Sequence, residues 1–69
     1  MRTIGIDPGT ARMGWGIVDE SAGTLSLVTC GVLVTPAGMP QAERLMRLYD
    51  ELRQLLREFK PDAAAIEEL

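Results

Sequence analysis

Residues 4–16 of the chain read IGIDPGTARMGWG, and this stretch contains the first turn signal of the sequence. Two short apolar runs flank the segment DPGT, in which Pro8 fixes φ and Gly9 allows backbone conformations that a Cβ would exclude. We therefore predict strands at residues 2–7 and 14–19, joined by a tight turn. Asp7 ends the first run, where its carboxylate either caps backbone amides of the turn or is presented as a ligand.

The rest of the chain predicts two further strands and one helix. Residues 24–34 contain a β-branched run, which predicts a third strand in an antiparallel meander with the first two. Apolar residues recur at three- and four-residue steps over 41–59, which indicates an amphipathic helix that ends before Pro61. Residues 62–67, DAAAIE, then predict a fourth strand. A right-handed crossover makes this strand parallel to the third, and so also to the first, beside which it can pair.

This α/β arrangement places two carboxylates at neighbouring strand ends. Asp7 ends the first strand and Glu67 ends the fourth, so the two side chains are expected to lie close enough to share one cation. Carboxylate oxygens without a His or Cys ligand favour Mg²⁺, or Mn²⁺, over zinc. The alternative is that Glu67 only marks the solvated end of its strand.

Two glycine features adjoin these carboxylates. Gly14 and Gly16 are two residues apart and leave one strand face bare, which allows close approach by a substrate or another backbone. Gly9 and Thr10 either close a simple turn or present backbone amides to a phosphate.

Composition limits the possible classes of protein. The 69 residues can form one small domain, and their net charge of −3 does not suit binding of nucleic acid by charge alone. We expect Cys30, in an apolar run, to be a buried thiol of a reducing cytosol. The sequence contains no leader pattern and no run of about 18 apolar residues, which predicts a cytoplasmic protein that does not contact a membrane.

Two motifs together carry a family resemblance. The segment GIDPGTARMGWGIV, followed by a helix and KPDAAAIEEL, resembles the N-terminal part of the RuvC family of bacterial Holliday-junction resolvases. Pro8 and Trp15 favour this family over the YqgF-type resolvases, which more usually read DVGxxRIG at this point. The resemblance covers essentially all 69 residues.

The resemblance implies an RNase H-like fold, of which residues 1–69 would be the N-terminal part of a single nuclease domain. It implies a site of four carboxylates, with Asp7 bridging two Mg²⁺ ions and Glu67 binding one of them. The other acidic pair, the fifth strand and most DNA-binding positions would lie beyond Leu69. The implied enzyme is a homodimer that cuts four-way DNA junctions symmetrically in recombination and repair, alongside a RuvA and RuvB branch-migration helicase, and the 69 residues alone would be inactive.

Two alternatives stay open at this point. The chain can be the first lobe of an actin-like kinase or ATPase whose DPGT turn holds nucleotide phosphates, or a non-catalytic RNase H-like module. In every case one helix has only one sheet face to cover, through residues that include Leu45, Leu48, Leu52, Leu55 and Phe59. We therefore expect the other sheet face to be an exposed apolar surface, and the fourth strand to be an unpaired edge.

Overall fold

The structure, a computed structural model, describes residues 1–9 and 11–66 of the chain. Its elements are β1 (Arg2–Pro8), β2 (Arg12–Ser21), β3 (Thr24–Val34), α1 (Gln41–Phe59) and β4 (Ala63–Ile66). The strands form one mixed sheet in the order β3-β2-β1-β4. The predicted meander, helix and fourth strand are thus confirmed, and β4 lies at an edge of the described sheet as expected.

The first three strands form the antiparallel part of the sheet. β1 pairs with β2 from Arg2 opposite Asp19 to Pro8 opposite Met13, and β2 pairs with β3 along its whole length. β2 begins before and ends after the predicted strand, because backbone pairing continues past the apolar residues that marked it in the sequence.

The helix then carries the chain across to the far side of β1. Lys60 ends α1 with a left-handed φ of 48°, and its N–H donates to the carbonyl of Leu56 at 3.0 Å. Pro61 follows, so the helix cannot continue. β4 pairs in parallel with β1, from Thr3 opposite Ala63 to Ile6 opposite Ile66.

One sheet face, which we call the covered face, packs against α1. Ile4 and Ile17 are direct cross-strand partners on this face, and each is 0% exposed. Trp15 lies on the same face, and its ring centroid is 6.3 Å from that of Phe59 in α1. The half-buried apolar residues of the helix are Leu48, Leu52, Leu55 and Phe59. The core of the described chain therefore lies between this sheet face and the helix.

The helix stripe is wider than the sheet covers. Leu45, predicted to be part of the packed stripe, is 57% exposed, and Tyr49 and Leu56 are exposed beside it. At 100° per residue these three side chains lie roughly 70° around the helix from the packed ones. The prediction for Leu45 was therefore wrong, because periodicity identifies an apolar stripe but not how much of it meets the sheet.

Arg2 joins the start of β1 to its neighbours on the covered face. Its guanidinium donates to both carboxylate oxygens of Asp19, from Nε at 2.8 Å and from Nη2 at 2.9 Å. The Nη1 group donates to the carbonyl of Phe59 at 2.9 Å, near the end of α1. The hydrogen bonds from Arg2 lower the pKa of the Asp19 carboxyl, and the same bonds raise the pKa of the Arg2 guanidinium.

The opposite face of the sheet, which we call the open face, has no helix against it in the described part of the chain. Strand residues alternate between faces, and the pairing of β3 with β2 shifts once, between Ile17 and Val18. The resulting register places five residues of β3 on this face: Leu25, Leu27, Cys30, Val32 and Val34. All five are exposed, which confirms the expected bare apolar surface. The expectation that Cys30 is buried was wrong, because Cys30 pairs with Gly16 on the face that α1 does not cover.

Candidate metal site

Asp7 lies near the C-terminal end of β1, on the open face. Its cross-strand partner is Gly14, and the following pair is Pro8 with Met13. The Asp7 side chain is exposed. A strand in the middle of the sheet therefore fixes the backbone position of Asp7, and its side chain is accessible to an ion or substrate from solvent.

An open pocket of about 380 Å³ adjoins Asp7. Most of its lining lies on the open face of β1, β2 and β4. The lining residues are Gly5, Ile6, Asp7, Gly14, Trp15, Gly16, Gly31 and Ala65. Asp7 is thus the acidic residue that the described chain contributes to the pocket wall.

The floor of this pocket is formed by glycines that the fold itself does not require. A Cβ at Gly14 would lie 3.8 Å from the Cβ of Asp7, and one at Gly16 would lie 3.9 Å from that of Cys30. Both are ordinary van der Waals distances. A Cβ at Gly5 would lie 4.0 Å from its nearest neighbour, the carbonyl oxygen of Gly16. A Cβ at any of these positions would therefore fit the described chain and would take up space beside Asp7.

Two other glycines are needed for packing. A Cβ at Gly31 would approach the indole of Trp15 to 2.8 Å, so Gly31 makes room for that ring on the covered face. A Cβ at Gly9 would collide with the carbonyl oxygen of Arg12. The interpretation that Gly9 closes a simple turn therefore has a steric basis. The alternative, in which Gly9 and Thr10 present backbone amides to a phosphate, involves Thr10, which lies outside the described residues.

The second predicted ligand, Glu67, also lies outside the described residues. The structure does describe the pairing of β4 with β1 up to the residue before Glu67. Ile66 pairs with Ile6, and these are the residues immediately before Glu67 and Asp7 in the sequence.

The donor chemistry around Asp7 suits a hard divalent cation. Residues 1–9 and 11–66 bring together no cluster of three or more His, Cys, Asp or Glu side chains. An exposed carboxylate beside a roomy pocket is nevertheless the kind of oxygen ligand that Mg²⁺ takes while keeping several of its waters. Asp7 fits such an ion as a single oxygen ligand.

Sequence reasoning identified Asp7, Gly14 and Gly16 but missed Gly5 and Ala65 as pocket residues. The signal for Gly5 was present, since it lies two residues before Asp7 and so on the same strand face. Ala65 could be placed in the pocket only from the register of β4 against β1, which the sequence does not reveal. In the described part of the chain, none of the helical segments has the length and apolar character needed to cross a membrane.

A mixed sheet with a carboxylate at the end of its central strand, and one helix crossing over to a parallel neighbour, defines the class as RNase H-like α/β. The family model for "Crossover junction endodeoxyribonuclease RuvC" matches residues 3–69. The chain belongs to the RuvC family.

Known relatives agree with this assignment and show its extent. A crossover junction endodeoxyribonuclease RuvC from Roseiflexus sp. (strain RS-1) is 68% identical over 68 residues, which are 99% of this chain and 40% of that protein. A solved structure of T. thermophilus RuvC in complex with Holliday junction substrate matches 100% of this chain and 44% of its own, at 31% identity and a TM-score of 0.89. The chain thus spans less than half the length of these relatives.

The same fold occurs in a protein of another kind. The Aquifex aeolicus PPX-GPPA enzyme matches 96% of this chain and 25% of its own, with a TM-score of 0.73 and 24% sequence identity. That similarity shows the fold alone. The family assignment rests on the motifs and on the match over 3–69, rather than on the shape of the sheet.

Proposed function

We propose that this chain is part of a metal-dependent endonuclease that resolves four-way DNA junctions by hydrolysing phosphodiester bonds. The observation that carries the proposal is the position of Asp7: exposed, at the end of the central strand, beside an open glycine-floored pocket, in a chain of the RuvC family. Residues 1–69 would form one part of a single nuclease domain with the remainder of the protein.

Asp7 and Glu67 would hold the cation, with Asp7 as the ligand shared between two ions. Bound Mg²⁺, or Mn²⁺, would activate a water for in-line attack and stabilise the leaving oxygen. Asp7 contributes a fixed negative charge at a strand end, and the rest of the ligand set comes from elsewhere in the protein. Support for Glu67 comes from the parallel pairing of Ile6 with Ile66, because Ile6 directly precedes Asp7 and Ile66 directly precedes Glu67.

The pocket floor suits a sugar-phosphate backbone. Gly5, Gly14 and Gly16 present no side chains, so a phosphodiester can approach the Asp7 carboxylate closely. The net charge of −3 means that Lys and Arg for the DNA phosphates would come mainly from outside these 69 residues. A junction substrate would be cut symmetrically by a homodimer in the cytoplasm, with RuvA and RuvB as helicase partners.

Substitution of the two carboxylates tests this function directly. In a full-length RuvC protein that carries these 69 residues, Asp7→Asn and Glu67→Gln should each abolish cleavage of a labelled four-way junction in Mg²⁺. Binding of the junction should persist, since both changes remove charge but keep side-chain volume. Asp50→Asn, the same chemical change at an exposed helix position, is the matched control and should cleave normally.

The outcome against the proposal is cleavage at a near-parental rate by either variant. That residue would then not be a metal ligand, and a purely structural role in the turn or at the strand end would remain. The 69-residue chain by itself should not cleave the junction, because it carries two of the four proposed ligands. Symmetric nicking by the purified chain would contradict the incomplete ligand set.

A further inference from the structure

β4 carries few side chains that can determine its register against β1. It reads AAAI, and Ala64, Ala65 and Ile66 are all exposed, Ile66 to 68%. A slip of one residue transfers every side chain of a strand to the other face, and strands with little buried on either face resist such slips poorly. The observed register therefore needs a determinant outside the apolar residues of β4.

Asp62, the residue before β4, makes two hydrogen bonds to a single residue of β1. The backbone N–H of Arg2 donates to Oδ2 of Asp62 at 2.7 Å. The backbone N–H of Asp62 donates to the carbonyl of Arg2, also at 2.7 Å. We call this pair of bonds the Asp62 clasp. It immediately precedes the first ladder pair, Thr3 with Ala63, and a one-residue shift of β4 would break both bonds.

The β1 side of the clasp is itself fixed in place. The Arg2 guanidinium is held by both carboxylate oxygens of Asp19 on β2 and by the carbonyl of Phe59 at the end of α1. Arg2 therefore cannot follow β4 if β4 shifts. The clasp ties the start of β4 to a point that is anchored to β2 and α1.

We propose that Asp62 is a positioning residue for the metal site, because it sets the register in which β4 pairs with β1. That register determines which residue after Ile66 lies next to Asp7. The inference rests on the proposed function, in which that residue is Glu67. Asp62 acts from a distance, since Glu67 is five positions further along the chain and a strand rises roughly 3.3 Å per residue. The Asp62 side chain is exposed, so replacing it leaves no cavity.

The first test measures the register without any metal or activity. In the metal-free full-length protein, NMR cross-strand contacts between the backbones of Ile6 and Ile66 report the parallel pairing. Asp62→Ala should weaken these contacts strongly or replace them with contacts of a shifted pairing. Asp62→Asn keeps an acceptor oxygen for the Arg2 N–H and should retain them, as should the charge-matched control Asp50→Ala. Unchanged Ile6–Ile66 contacts in Asp62→Ala would overturn the proposal.

The second test follows the Mg²⁺ requirement for junction cleavage. Loss of a group that contacts a metal ligand directly typically costs 10- to 100-fold in metal affinity or activity. Asp62 acts through the register of β4 instead, so Asp62→Ala should raise the half-maximal Mg²⁺ concentration about 10-fold, at the low end of that range. Asp62→Asn should restore most of the parental value. A lower melting temperature with an unchanged Mg²⁺ requirement would show a structural role only and would contradict positioning.

If Asp62→Ala does not fold, Asp62→Glu decides the question. Its carboxylate keeps the charge but displaces the acceptor by one methylene, so it should also raise the Mg²⁺ requirement, and an unchanged requirement would overturn the proposal. Failure of the proposed function looks different. In that case Asp7→Asn would cleave normally, while the Ile6–Ile66 contacts would still report whether Asp62 sets the register.

Discussion

The covered and open faces of the sheet are built from alternate residues of the same strands, yet they differ in almost every physical respect. On the covered face, Ile4 meets Ile17 with no exposure, and Gly31 makes room for Trp15. On the open face, Gly14 and Gly16 leave space in which a Cβ would make only ordinary van der Waals contacts. The covered face therefore holds the fold together, and the open face leaves room beside Asp7.

The largest expected effect on folding comes from the covered face. Ile17→Ala removes a fully buried side chain and should lower the free energy of unfolding by about 2–5 kcal/mol. Urea unfolding of the full-length protein measures this loss. Val18→Ala, the next residue on the open face, is the control and should cost clearly less. Equal losses for the two variants would mean that the faces do not differ as described.

A side chain on the pocket floor should separate activity from stability. Gly16→Val places a branched side chain near Asp7, and misplacement of a substrate by about 1 Å can cost 10²-fold in rate, so junction cleavage should fall by about that factor. The free energy of unfolding should change by less than about 1 kcal/mol, since strands favour Val over Gly.

The matched control for the pocket floor is Val32→Ala. Val32 also lies on the open face, in β3, but does not line the pocket. Its cleavage rate should stay near the parental value. If Gly16→Val cleaves as fast as Val32→Ala, the glycine floor does not admit the substrate.

A smaller effect is expected from the ion pair between Arg2 and Asp19. The pKa of Asp19 is lowered in the folded protein, so its contribution is present above the unfolded pKa and is lost as the pH falls through the folded pKa. Asp19→Asn should therefore lose less stability than the parent between about pH 5 and 2. Melting temperatures across this range measure the difference, and parallel curves for the two proteins would contradict it.

The smallest stability effect is expected on the apolar open face of β3. Leu27 is 65% exposed, so Leu27→Thr should change the free energy of unfolding by no more than about 0.5 kcal/mol. The isolated 69-residue chain should nevertheless self-associate less with this change, because the exposed apolar surface becomes smaller. Size-exclusion chromatography with light scattering compares the two chains. If the parental chain is a monodisperse monomer, the open face does not cause self-association.

The sequence predicted the elements well because each has a local cause. Period-two and period-3.6 patterns, Pro61 and the DPGT turn are enough to order the strands and to place β4 parallel to β1. The exposure of Cys30 and Leu45 was not predictable in this way, since apolar character does not say whether a helix lies against that side. The register of β4 was also out of reach, because AAAI holds no pattern and the Asp62 clasp joins residues 60 positions apart.

A divalent cation should bind on the open face at Asp7, and paramagnetic broadening by Mn²⁺ measures this binding. In a full-length RuvC protein that carries these residues, sub-stoichiometric Mn²⁺ should broaden the methyl resonance of Ala65, which lines the pocket, far more than those of Ile17 on the covered face. Asp7→Asn should remove the selective broadening of Ala65. Equal broadening of both faces, or broadening of Ala65 that survives Asp7→Asn, would show that Asp7 does not bind the cation.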